Sequence, residues 1–200
     1  MGMPTTLERP LYQNEPGRIW TADEVAAFPE VPGLRFEVVD GELFVSPGPS
    51  WDHKRAVFWL MRALNPYVEH APRAGEVMFG PGDARLDALT LVQPDVFVAP
   101  LIAGKRPNGP HDVQRFLLVI EVLSPGSRRA DRIVKRQKYQ KTADEYWLVD
   151  PSKRRVERWL PGRDEPEMLV ATASWQAPGR AAPLTFDLPA LFRETFAEAP

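Results

Sequence analysis

Near the middle of the chain, Phe116 to Leu123 (FLLVIEVL) is apolar on both parities of an extended strand, with a single glutamate as the exception. Such a strand cannot leave one face in water. It has to lie centrally in a sheet, covered on both sides. The next thirty residues fix how it is covered. Ser127 can cap a helix running from Arg128 to about Lys141, and Glu145 to Asp150 (EYWLVD) is a second apolar strand, stopped by Pro151. Strand, helix and strand in that order form a βαβ crossover, so the two strands are predicted to be parallel and the connection right-handed. The chain is therefore expected to fold as layered α/β.

The flanking segments extend that sheet. Thr21 to Glu24 fits a capping box for a short helix over residues 22–28. Leu34 to Val39 and Glu42 to Ser46 flank Asp40-Gly41, and apolar runs on either side of Asp-Gly predict a tight hairpin. Ser50 reads as the N-cap of a helix of about five turns, with Val57, Leu60, Met61, Leu64 and Val68 at helical spacing. Glu76 to Phe79 and Leu91 to Ala99 read as strands. The polar 103–114 loop is long enough for its flanking strands to pair antiparallel. Residues 154–160 and 167–172 read as edge strands, and a short helix is expected over 191–196. The expected architecture is one mixed sheet flanked by helices. An N-terminal arm (1–33) leads into a core (34–160), and C-terminal strands with a short helix (161–200) pack on it.

Composition removes several chemistries. No cysteine is present, which excludes disulfides, thiolate metal sites and cysteine nucleophiles. With three histidines (His53, His70, His111), any metal site has to be built mostly from oxygen. His70 and His111 fall in loops and receive no role. The net charge of −2 names no partner, but its distribution is uneven: residues 128–158 carry a local +6 and the remainder −8. A basic segment on an acidic protein is either a phosphate-facing surface or a solvated helix face. Met1 to Pro10 lacks a signal-peptide pattern, and no window approaches the about 18 apolar residues of a membrane span, so a cytoplasmic location without membrane partners is expected.

Two acids stand where acids are costly: Asp95 in LVQPDVFVA and Glu121 in FLLVIEVL. A buried carboxylate has to shift its pKa, pair with a cation or bind a metal. One such acid alone suggests an ion pair. Two on successive strands can meet, and together they offer hard oxygen ligands of the kind Mg²⁺ takes. A helix with seven Lys/Arg in 14 residues comes directly after the second acid.

Pro94-Asp95 and then Glu121-Val122-Leu123 at a strand end look like the signature of the PD-(D/E)XK nucleases. The longer text resembles one family in that superfamily, the Uma-two family. Its phrases stand here as RFEVVDGELFVSPGPSWDHKR, VQPDVFVA, LLVIEVLSPGSRR and DRIVKRQKYQKTADEYWLVDP, over about residues 34–160. The resemblance implies a restriction-endonuclease-like fold with an αβββαβ core. It also implies that Asp95, Glu121 and the main-chain carbonyl of Val122 hold Mg²⁺, with Mn²⁺ as a substitute, for hydrolysis of DNA phosphodiester bonds. The superfamily lysine would stand two residues after the acid, where this chain has Leu123. In the family the lysine is displaced to the next helix, which points to Lys135, with Lys138 as its rival. Asp131, Lys135 and Tyr139 share one helix face.

Further candidates are Glu37, which could extend the acidic cluster, and His53, which could contact a phosphate or a water or simply serve as a capping or core residue. Glu42 is expected at the surface. Arg128, Arg129, Arg132 and Arg136 could grip phosphates, positioning nucleic acid without reading its sequence. Trp51 and Trp59 are read as packing residues rather than base-stacking platforms. The expected function is a metal-dependent endodeoxyribonuclease, with a homodimer as the assembly. The alternative is a nuclease fold kept as a non-catalytic binding module.

Overall fold

The computed structural model describes residues 17–70, 72–124 and 130–196. Helix α1 (Ala22–Ala26) opens on the expected capping box, Thr21 with Glu24. Strands β1 (Leu34–Val39) and β2 (Glu42–Pro47) pair antiparallel across Asp40-Gly41. Both turn residues have positive φ, 49° and 87°, as a two-residue hairpin requires. Helix α2 (Trp51–Glu69) is capped by the Ser50 side chain, which accepts from the His53 backbone N–H. Next come strands β3 (Glu76–Phe79), β4 (Ala84–Asp87), β5 (Thr90–Val92), β6 (Val96–Ala99) and β7 (Leu118–Val122). A π-helical segment, Ala130–Lys135, then runs into α3 (Arg136–Thr142). Strands β8 (Tyr146–Asp150), β9 (Arg155–Trp159), β10 (Glu167–Leu169), β11 (Thr172–Trp175) and β12 (Leu184–Asp187) precede the final helix α4 (Leu188–Thr195).

The expectation of one sheet is corrected to three among the described residues. The main sheet has the order β10-β9-β8-β7-β6-β3, a second has the order β2-β1-β5-β4, and β11 and β12 form a hairpin. Strand β7 lies inside the main sheet, parallel to β8 and antiparallel to β6, as its doubly apolar pattern demands. The expected strand over Leu91 to Ala99 is two strands in different sheets. Pro94 has no N–H for a ladder, so pairing stops there and the chain steps from β5 to β6. The expected strand over 167–172 is likewise divided, between β10 and the start of β11. The basic helix opens as a π-helical turn rather than an α-helix, and its expected Ser127 cap lies outside the described residues.

The main sheet has a filled layer on each face. On one side Leu118, Ile120 and Val122 meet Ala56, Leu60, Leu64 and Val68 of α2, with Trp175, Phe186 and Phe192 of the C-terminal hairpin and helix. On the other, Val119 and Leu123 pack with Phe97, Tyr139, Tyr146 and Val39. By strand alternation Glu121 shares the face of Val119 and Leu123, and Asp95 shares the face of Phe97 and Ala99. Both acids thus stand on the α3 side, beneath the second sheet. No described helix is long and apolar enough to cross a membrane.

The Asp40-Gly41 turn orients β1. Gly41 donates to Leu89 O and accepts from Trp20 N, both at 2.9 Å. A Cβ on Gly41 would sit 2.7 Å from the Ile19 side chain and in a left-handed conformation. Gly41→Ala is therefore expected to lower stability by about 1–2 kcal/mol, read as a lower urea midpoint with an unchanged slope.

Candidate active site

Four carboxylates converge on the α3 face of the main sheet. Asp95 stands at the head of β6 and Glu121 on the neighbouring β7, one step beyond the Val96–Ile120 pair. The two are laced together: the Asp95 backbone N–H donates to Glu121 Oε2 at 3.3 Å, and the Val122 N–H donates to Asp95 Oδ2 at 2.8 Å. Glu37 comes from β1 and Asp131 from the π-helical turn. All four are at most 3% exposed.

Lys135 is the common partner. Its ammonium lies 2.7 Å from Glu37 Oε2, 3.2 Å from Asp131 Oδ1 and 3.3 Å from Glu121 Oε1. The Asp131–Lys135 spacing puts both on one face, and that face continues to Tyr139, whose hydroxyl donates to Glu121 Oε1 at 3.2 Å. Lys138 points elsewhere, to Asp40 and Asp87 at 2.6 and 2.5 Å. Of the two lysines, Lys135 stands among the acids.

Asp95 has its own partners. Arg35 lies 3.1 Å from Asp95 Oδ1, and His53 Nε2 3.0 Å from the same oxygen. Arg35 alternates with Glu37 on β1, so one strand delivers a cation to Asp95 and an anion to Lys135. Arg35 also donates to Gln93 O, while the Gln93 N–H donates to Glu37 Oε1 at 2.8 Å. The break at Pro94 thus supplies backbone groups that fix both β1 side chains. Sequence reasoning misses Arg35 as a site residue; its alternation with Glu37 is the available signal.

These contacts separate the acids electrostatically. Burial pushes the Asp95 carboxyl up, but His53, Arg35 and the Val122 N–H together hold it well below the usual carboxylate range. Burial dominates at Glu121 and, with the charges of Asp95, Asp131 and Glu37, raises it well above that range despite Lys135. Burial alone would lower Lys135, yet its three carboxylate neighbours raise it well above the ordinary lysine value. Lys135 is therefore a fixed ammonium. A cavity of about 320 Å³ opens onto the cluster, lined by Glu37, His53, Asp95, Glu121, Asp131 and Lys135 among others.

The arginines expected to grip phosphate divide. Arg128 and Arg129 lie outside the described residues. Arg132 is held within the protein by Asp150 (2.6 Å) and Glu157 (2.8 Å), both buried. Arg136 stacks over Trp159 at 4.5 Å and donates to Arg132 O. Inward carboxylates on β8 and β9 and an aromatic face claim both side chains. Trp59 packs on Phe186 and donates to Glu194, as a packing residue does, whereas Trp51 is 77% exposed and packs little. Glu42 is exposed as expected.

Residues 22–190 match the model of the family described as "Uma2: Putative restriction endonuclease". This chain belongs to the Uma2 family. The matched Uma2 segment contains every carboxylate and cation of the cluster. A solved structure from Anabaena variabilis ATCC 29413, described as "a putative nuclease belonging to DUF820", is similar over 86% of this chain and 97% of its own. The TM-score is 0.68 at 19% identity, a likeness of fold. None of the curated proteins matches.

Replacing Lys135 should expose the coupling. In Lys135→Met three buried carboxylates lose their cation, and about 3–5 kcal/mol of stability should be lost at neutral pH. Without Lys135 the Glu121 pKa rises further above its unfolded value, so ionising that carboxyl opposes folding as pH increases. The deficit should therefore shrink as pH falls toward 5, measured by urea unfolding of both proteins. A deficit independent of pH would contradict the coupling.

Proposed function

We propose that this chain is a divalent-cation-dependent endonuclease of the PD-(D/E)XK type acting on DNA. The observation that carries the reading is the lacing of Asp95 to Glu121 on adjacent strands, with the Lys135 ammonium 3.3 Å from Glu121. Among the described residues no group of three or more His, Asp or Glu side chains stands ready as a metal cage. The donor set is instead two carboxylates at a cavity, Asp95 and Glu121, to which the main-chain carbonyl of Val122 would add. That suits Mg²⁺, which binds through one or two carboxylates and keeps several waters. When bound, the ion would polarise the scissile phosphate and lower the pKa of an attacking water.

The protein's own groups divide the remaining work. Lys135 stays protonated, so it acts as a donor and a charge, not as a base. It would orient a water and stabilise negative charge building on the phosphate. Glu37 and Asp131 hold that ammonium in place, and Tyr139 holds the Glu121 carboxylate. Arg35 and His53 fix Asp95 at the cavity wall, where either can donate to a phosphate oxygen. The same two contacts favour a second reading, a nuclease fold kept for binding, in which Arg35 and His53 satisfy Asp95 permanently.

Asp95→Asn and Glu121→Gln should each lower Mg²⁺-stimulated nicking of plasmid DNA by at least about 100-fold while retaining a cooperative melt. Lys135→Met should lower it by about 10²–10³-fold. Calorimetry with Mn²⁺ should show binding to the unaltered protein that both carboxylate variants lose. Full activity in Asp95→Asn would remove the nuclease reading, and a folded protein that binds no Mn²⁺ would favour the binding module.

A further inference from the structure

A second and larger cavity, about 670 Å³, adjoins the acidic one and shares Arg35, Pro49, His53 and Asp95 with it. Its volume is that of a ligand pocket, and its walls are mostly apolar, with Val57, Phe58 and Met61 from α2 facing Phe79 at the end of β3 and Pro81 just beyond it. Phe58 is 65% exposed and Phe79 is 55% exposed. Along the outer face of α2, Trp51, Lys54, Phe58 and Arg62 succeed one another at three- and four-residue spacing, which places them in one row. The Lys54 ammonium lies 5.6 Å from the Trp51 ring centroid, and the Arg62 guanidinium 5.9 Å from that of Phe58. Among the described residues these two cations face rings and not carboxylates.

Rings and cations in alternation match a polymer that presents a flat base and an anion at every repeat. A duplex hides its base faces in its own stack and could use only the cations. The choice of DNA over RNA follows the reading of the adjoining site, and the ribose 2′-hydroxyl is the group that would distinguish the two. We infer that this groove holds unpaired bases of single-stranded DNA beside the phosphate to be cut, so that the substrate is a single strand or an unpaired segment. The inference rests on the nuclease reading of the adjoining site. Charge complementarity and the four shared wall residues select this occupant.

The test is fluorescence anisotropy of the full chain with a labelled oligodeoxythymidylate in EDTA, where no cutting occurs. The single strand should bind at least ten-fold more tightly than a duplex of equal length and at least five-fold more tightly than oligouridylate. Phe58→Ala and Phe79→Ala should each weaken single-strand binding five-fold or more, since both rings are solvent-exposed and their loss spares the core. Arg62→Gln should weaken it and flatten its salt dependence. Equal binding of duplex, or no effect of removing either ring, would overturn the groove assignment; equal or tighter binding of oligouridylate would overturn the choice of DNA. If the strand binds as described but the unaltered protein never cuts with Mg²⁺, the nuclease reading fails and the groove stands.

Discussion

One ammonium holds the centre of this protein together. Lys135 carries the charge against which Glu37 of the small sheet, Glu121 of the large sheet and Asp131 of the π-helical turn are all buried. Three separate elements therefore converge on a single side chain. Removing it would take a buried cationic partner from each of them. The neighbouring Asp95 is balanced separately, by Arg35 and His53, so the two acids of adjacent strands sit in different electrostatic settings. Asp95 is driven toward the ionised form and Glu121 away from it. Divided acids of this kind are a frequent mark of a functional site.

Backbone irregularities build the site as much as regular structure does. Pro94 ends one sheet's pairing and releases the Gln93 N–H and C=O to hold Glu37 and Arg35. Asp95 then leads into β6 with its own N–H directed at Glu121. The segment leading to Lys135 is wound as a π-helix, a form often met at functional sites. Asp40, at the hairpin turn, and Asp87, at the end of β4, together occupy Lys138 and tie α3 to the small sheet.

Local sequence carried much of this. FLLVIEVL could only be a covered interior strand, Asp40-Gly41 could only be a tight turn, and carboxylates inside apolar strands announced Asp95 and Glu121. Helical spacing put Asp131, Lys135 and Tyr139 on one face, and Glu121 receives two of them. Choosing Lys135 over Lys138 needed the family resemblance, because the two stand three residues apart and are separated only by partners distant in sequence, Glu37 and Glu121 for one and Asp40 and Asp87 for the other. The same blindness to partners distant in sequence hid the fate of Arg132, which answers to Asp150 and Glu157 on β8 and β9. Division of residues 91–99 between two sheets was signalled by Pro94, but which sheet received which half depended on pairing with β1 and β7.

The nuclease chemistry proposed for this chain requires a divalent cation to find its place between two particular carboxylates. Crystals of the unaltered protein soaked in Mn²⁺ and measured at the manganese absorption edge test this directly. The expected result is one anomalous peak within coordination distance of both Asp95 and Glu121, lost in Glu121→Gln. Well-ordered carboxylates with no peak between them, and Arg35 still seated on Asp95 at saturating Mn²⁺, would contradict it.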